Sequence, residues 1–171
     1  RDIKYDFKDF NLVENEYYLI VGRLVPDNNS HHIIKGFLAS KSNKKLVIVG
    51  DVPYKDDYAK NVKKLACENV IFLGHVRSQK KLSRLYKFCY AYVHGHEYGG
   101  TNPTMINALD FNCNILALNT IFNSEMLEKK KCILFDKNLI SIKNKFNYFE
   151  KKYDIISKQN IKYKFPKKYN W

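Results

Sequence analysis

The sequence predicts an α/β fold built on a doubly wound parallel sheet, and three observations carry the prediction. Six short, nearly continuous apolar runs recur along the 171 residues, at 17–21, 46–49, 70–73, 91–93, 115–118 and 132–135. Strands covered on both faces lose the alternation of a half-exposed strand, so unbroken runs of this length mark a parallel sheet between two helical layers. Patterns of helical spacing lie between the runs, and glycines follow the first four of them, at Gly22, Gly50, Gly74 and Gly95.

Taken in order, residues 1–16 read as an incoming linker or interdomain segment, followed by the first strand at 17–21. Behind Asn29 or Ser30, Ile33, Ile34, Phe37 and Leu38 share a helical face; behind Asp56 or Asp57, Tyr58, Val62, Leu65 and Ala66 do the same. Leu82, Leu85, Tyr86 and Cys89 form a third stripe, and Met105, Ile106 and Leu109 a fourth, opened by Pro103. Ile142, Phe146, Phe149, Tyr153 and Ile156 follow 4, 3, 4, 3 spacing and predict one last helix with lysines on its wet face. The predicted domain is therefore a Rossmann-like unit over 17–158, with 159–171 a tail leading to a further element.

Composition narrows the class. Hydrophobic residues at 45% and aromatics at 15% suit a folded core. No apolar stretch approaches the ~20 residues of a spanning helix. The formal charge is +13, and ten lysines fall between Lys137 and Lys168 against Glu150 and Asp154. An arginine-free lysine field suits anionic membrane or polyanionic ligands but not bidentate reading of bases, so no nucleic-acid partner is expected. The four cysteines form no C-x-x-C pair, which excludes the usual zinc and redox spacings; they are expected to be buried thiols in a reducing cytoplasm. Beginning at Arg1 and ending at Trp171, the chain is expected to be part of a longer protein.

Ligands of such sheets bind beyond the carboxyl ends of the strands. There the richest run is His94-Gly95-His96-Glu97-Tyr98-Gly99-Gly100-Thr101-Asn102-Pro103. Gly99 and Gly100 let the backbone approach a ligand, and Thr101 or Asn102 caps a helix whose N-terminus favours an anion. His94 and His96 are expected on opposite sides of the chain, leaving one to face a ligand. The position after the first strand reads Gly22-Arg23-Leu24-Val25-Pro26-Asp27 instead of G-x-G-x-x-G, which argues against NAD or FAD; no G-x-x-x-x-G-K-[ST] is present either. What remains is an anion site shared by Arg23 and the helix terminus, suited to a diphosphate.

Together, Gly22-Arg23-Leu24-Val25-Pro26, Gly50, Gly74-His75-Val76, the run from His94 to Pro103 and Phe122-Asn123-Ser124-Glu125 resemble the C-terminal, donor-binding half of a retaining GT-B glycosyltransferase. The likeness covers about 17–135 and is to glycosyltransferase family four, in the bacterial polysaccharide branch that includes rhamnosyltransferases and carries H-G-H-x-x-G-G-T-N-P. It implies hexosyl transfer, with rhamnose among the candidate sugars, from a dTDP-, UDP- or GDP-sugar and without a metal or other cofactor. The acceptor it implies is a glycan or lipid-linked chain of capsule or lipopolysaccharide, met through a separate N-terminal domain. A cytoplasmic location is expected, and the basic surface favours peripheral contact with the inner face of the plasma membrane.

The resemblance also implies roles. Arg23 contacts the diphosphate and, with Glu97, is the catalytic candidate; His75 and Val76 lie by the nucleobase; Gly99, Gly100 and Thr101 cradle phosphate or sugar. Gly22, Asn28, His96, Asn102, Asn107 and Glu125 complete the binding set, Glu125 being either a sugar or ribose contact or a first-turn helix acid. Two departures from the family stand out. Asn28 stands where a lysine often follows the arginine by five, and Gly99 and Asn107 stand where the wider family has two glutamates, so Glu97 is expected to replace the first carboxylate. The alternative readings are a non-catalytic nucleotide- or glycan-binding module and a basic polyanion-binding domain.

Overall fold

A computed structural model describes residues 10–98, 102–127 and 132–161. Six strands, β1 (Tyr17–Val21), β2 (Lys45–Val49), β3 (Val70–Gly74), β4 (Ala91–His94), β5 (Ile115–Leu118) and β6 (Ile133–Phe135), form one sheet in the order β3-β2-β1-β4-β5-β6. Every pairing is parallel. Chain progression therefore reverses between β1 and β4, and this is where a doubly wound sheet opens a crevice.

Between the strands run α1 (Ser30–Ser40), α2 (Asp57–Lys63), α3 (Gln79–Phe88), α4 (Pro103–Asp110) and α5 (Ile121–Leu127), with α6 (Leu139–Lys151) and α7 (Tyr153–Ile161) after β6. Helices α1, α2, α6 and α7 bury their apolar stripes on one sheet face, around Tyr18, Ile48 and Phe135. Helices α3, α4 and α5 cover the other, around Leu19, Val47 and Tyr92. Alternate strand residues thus serve two cores, which is why the runs read as continuous hydrophobicity. Tyr18 is wholly buried, with Phe37, Tyr90 and Phe146 set edge-on to its ring at 4.8 to 5.9 Å.

Local chemistry sets the boundaries. Asp56, Ser78, Asn102 and Asn138 each accept a backbone N–H of the helix they open. Helix α1 packs closely on α6 because Gly36 faces Ile142; a Cβ at Gly36 would lie 2.2 Å from Ile142 Cγ2.

Three expectations are corrected. The single C-terminal helix is two, because Lys152 leaves helical geometry at φ −103°, ψ 12°; the stripe survives the break, Ile142, Phe146, Phe149 and Ile156 all being buried. Helix α2 ends at Lys63, short of Leu65 and Ala66. Of the cysteines only Cys113 is buried: Cys89 and Cys132 are half-buried, and Cys67 is exposed beside an isolated antiparallel bridge to Val70. Among the described residues no helix is long and apolar enough to cross a membrane.

Candidate functional site

At the β1/β4 reversal the loops after these two strands are pressed together, and glycine makes that approach possible. A Cβ at Gly95 would lie 2.4 Å from the Asn28 carbonyl oxygen, and one at Gly22 would lie 3.1 Å from the His96 ring. On the neighbouring side Gly50 adopts φ +118°, where a Cβ would sit 1.9 Å from the Gly22 oxygen. Only glycine accommodates both that angle and that contact.

Asn29 fastens the two loops. It is buried and left-handed at φ 58°, a conformation asparagine tolerates better than most residues. Its Nδ2 donates to the Gly95 carbonyl at 2.9 Å, to Glu97 Oε1 at 2.9 Å and, more weakly, to the Asp27 carbonyl at 3.3 Å. The Glu97 backbone N–H donates to the same Asp27 carbonyl at 3.0 Å. From the β5 side, buried Asn123 donates to the carbonyls of Leu118 and His96, at 2.9 and 3.3 Å.

The crevice so formed has a volume of about 370 Å³ and is walled by Gly22, Arg23, Asp27, Asn28, His96, Tyr98, Asn102 and Thr104, among others. Arg23 stands exposed on its rim. Asn28 Nδ2 donates to the Arg23 carbonyl at 2.8 Å and so holds the turn that presents the guanidinium. Asn102 Oδ1 accepts the Thr104 N–H at 3.0 Å and its hydroxyl at 2.6 Å. The Tyr92 hydroxyl joins Thr104 Oγ1 to His94 Nδ1, both at 2.9 Å, which ties the start of α4 to the end of β4.

His94 and His96 do not diverge. Their rings stack at 4.2 Å and 16°, as alternation along a strand requires of residues two apart, and His94 is buried beneath. Burial, then the neighbouring His96, pushes His94 well below the usual imidazole range. Burial, then the Arg23 charge, lowers His96 to about 4. Both are neutral near pH 7, so His96 offers the crevice a neutral ring. Its Nδ1 is buried and has no hydrogen-bond partner among the described residues.

Two further depressions continue the crevice along the carboxyl edge. One of about 250 Å³ shares Gly22 and Arg23 with it and adds Gly50, His75 and Val76. Another of about 980 Å³ shares Asp51 and His75 with the second and is lined by Tyr54, Lys55, Lys60, Lys63 and Arg77, among others. The row crosses the ends of β4, β1, β2 and β3 in turn. Among the described residues no group of three or more His, Cys, Asp or Glu is placed to hold a metal ion.

Arg23, Gly22, Asn28, His96 and Asn102 are thus brought together, and His75 and Val76 lie one depression away. Glu97 lines none of the three. Its carboxylate meets Lys137 Nζ at 2.5 Å and Asn29, and these two donors lower its pKa. Asn107 lies on the exposed side of α4, interacting with the Tyr86 hydroxyl, and Glu125 is exposed on α5; neither lines any of these three depressions. Glu125 is the fifth residue of its helix, which corrects the first-turn reading. Gly99, Gly100 and Thr101 lie outside the described residues. Sequence reasoning passed over Asp27, Tyr98, Thr104 and Lys137 and saw Asn29 only as a cap. An asparagine directly before a helix, following Pro-Asp-Asn, was the one available signal for its left-handed turn.

The family of glycosyl transferases group 1 matches residues 2–167. No curated protein matches the chain. Among solved structures, the C-terminal domain of LpcC, a glycosyl transferase group 1 family protein from Francisella tularensis, superposes with a TM-score of 0.75 at 17% identity, over 93% of this chain and 91% of that one. Anabaena Alr3699/HepE, in complex with UDP and glucose, gives 0.76 at 17% identity over 90% of this chain and 43% of its own. TarM from S. aureus, in a complex with fondaparinux, alpha-GlcNAc-glycerol and UDP, gives 0.68 at 19% over 88% and 31%. At these identities the likeness is one of fold. The chain spans less than half the length of the last two.

Proposed function

The chain belongs to the glycosyl transferases group 1 family, and from that premise we propose that it is the nucleotide-sugar-binding domain of a glycosyltransferase. The observation that carries the reading is the crevice at the β1/β4 reversal, where Arg23 faces the start of α4. A departing nucleoside diphosphate gathers negative charge as the glycosidic bond breaks. A guanidinium and the positive end of a helix stabilise that charge without a proton transfer.

The row of depressions supports one direction for the donor. Diphosphate lies at Arg23, nucleoside extends toward His75 and Val76, and sugar extends toward His96 and Tyr98. The UDP complexes of HepE and TarM, which share the fold, support a nucleotide donor. Of the two catalytic candidates, Arg23 lines the crevice and Glu97 does not. Glu97 is engaged by Lys137 and Asn29, contacts that support a role in holding the β4–α4 loop.

The run from His94 to Pro103 supports the finer assignment to the retaining family-four branch, with rhamnose among the candidate sugars and a surface-polysaccharide or lipid-linked acceptor. On this reading 17–158 is the donor domain, and a second domain brings the acceptor. The lysine-rich surface favours the inner face of the plasma membrane.

Calorimetric titration with UDP, dTDP and GDP tests the proposal. One of them should bind, and Arg23→Ala should weaken the diphosphate while sparing the nucleoside. Failure of all three to bind overturns the reading, and sugar transfer by these 171 residues alone overturns the half-site part of it.

A further inference from the structure

The crevice has one cation among its described lining residues, Arg23, and a nucleoside diphosphate brings two or more negative charges to it. Asn28, at the position where a second cation is expected, has its amide committed to the Arg23 carbonyl. A lysine from another part of the chain is tied to the loop that carries two of the crevice walls. Lys137, in the turn between β6 and α6, reaches past the end of β5 to the β4–α4 loop and pairs with Glu97 at 2.5 Å. Glu97 lies between His96 and Tyr98, both walls of the crevice. Asp27, another wall, and Tyr98 are near enough to hold the Lys137 ammonium in its charged form, after the larger effect of Glu97.

The pair is unequal in exposure: the Lys137 side chain is 49% accessible and the Glu97 side chain 19%. Glu97 is fixed by Asn29 and by its own backbone bond to Asp27, so the carboxylate is the stationary partner and the lysine the movable one. An ion pair this exposed contributes little to stability. A long, flexible, half-exposed ammonium parked beside an anion site is well placed to exchange a carboxylate for a phosphate.

We propose that Lys137 is a donor-binding residue, which moves from Glu97 onto the diphosphate of the nucleotide sugar and supplies the second positive charge that Asn28 does not. The inference rests on the donor-domain reading above and adds to it the identity of the second cation.

The test uses whichever of UDP, dTDP and GDP binds the wild-type chain best, with the matching nucleoside as control, measured by calorimetry. Lys137→Gln should weaken the diphosphate about tenfold, as loss of one charge-assisted hydrogen bond implies, and leave the nucleoside within twofold. Lys137→Arg should retain most of the affinity. Glu97→Gln keeps an amide oxygen to accept from Asn29 and so holds the loop, but it weakens the pair and frees the lysine, so it should bind the diphosphate at least as tightly as wild type. Diphosphate affinity of Lys137→Gln within twofold of wild type overturns the proposal, as does equal weakening of nucleoside and diphosphate. A loss in Glu97→Gln as large as in Lys137→Gln also overturns it, because the ion pair and not the cation would then matter. If Arg23→Ala loses the diphosphate while Lys137→Gln does not, the donor domain stands and only the role of Lys137 falls. A wild-type chain that binds none of the three nucleotides overturns both.

Discussion

Gly36→Ala is expected to destabilise the domain although it replaces glycine with the best helix former. In an exposed helix the change would gain about 1 kcal/mol. Here the new methyl would lie 2.2 Å from Ile142 Cγ2 and 2.5 Å from its Cβ, so reaching an ordinary contact of 3.4 Å requires about 1.2 Å of separation. Ile142 cannot turn aside: it is 1% exposed, β-branched and inside α6. Forcing a methyl into a packed interface typically costs up to about 3 kcal/mol. The net loss is then about 2 kcal/mol, or a fall of roughly 4–8 °C in Tm at this chain length. Urea unfolding followed by circular dichroism reads it directly. Ile142→Ala alone leaves a cavity and should cost about 2–5 kcal/mol. The double variant should recover at least about 1 kcal/mol of the summed losses, since the methyl added at position 36 then fills space that Ile142 vacated. A Gly36→Ala midpoint equal to or above wild type, or strictly additive single and double variants, would refute the packing argument.

Gly50→Ala should be more damaging, because φ +118° and the Gly22 oxygen at 1.9 Å leave a Cβ nowhere to go; nucleotide affinity and thermal stability should fall together, and an unchanged melting curve would contradict the described loop contact. Asn29→Ala removes a buried amide that serves three acceptors and should cost about 1–3 kcal/mol. Asn29→Gly, which relieves the left-handed strain but not the lost bonds, should recover about 1 kcal/mol of that in chemical unfolding. The pH dependence has a defined sign. The folded pKa of His96 is depressed to about 4, so between that value and the ordinary ~6.5 the unfolded chain binds a proton that the folded chain refuses. Its contribution is present above the unfolded pKa and is lost as pH falls through this window. Urea midpoints measured from pH 7 to 4 should decline, and His96→Gln should make the decline shallower; an unchanged slope would show that His96 is protonated in the folded state.

How far the sequence discloses this molecule depends on the range of the forces involved. The apolar runs foretell all six strands to within a residue at each end, because burial on both faces imprints itself directly on consecutive residues. The caps Asp56 and Asn102 are legible to within one residue, as Asp56 or Asp57 and Thr101 or Asn102, for the same reason: a cap acts over two or three residues. Tertiary facts are not written locally. Asn29 meets Gly95 across 66 positions, and nothing near either residue announces the other. Lys137 is one of thirty basic side chains, distinguished only by a turn that carries it to Glu97. The interruption at Lys152 has no proline or glycine beside it, and the apolar stripe runs through it without a change of phase. Gly22, Arg23 and His96 were within reach because strand ends converge at a topological reversal, a rule of the fold as a whole.

Arg23 belongs to two adjoining depressions at once, and this makes their occupancies interdependent. Two separate anions, one in each, would compete for a single guanidinium, so each should raise the apparent dissociation constant of the other. A molecule that spans both with one shared phosphate group meets no such conflict, and its second half arrives already tethered at high effective concentration. The geometry thus selects for ligands that are covalently continuous and disfavours their fragments bound side by side.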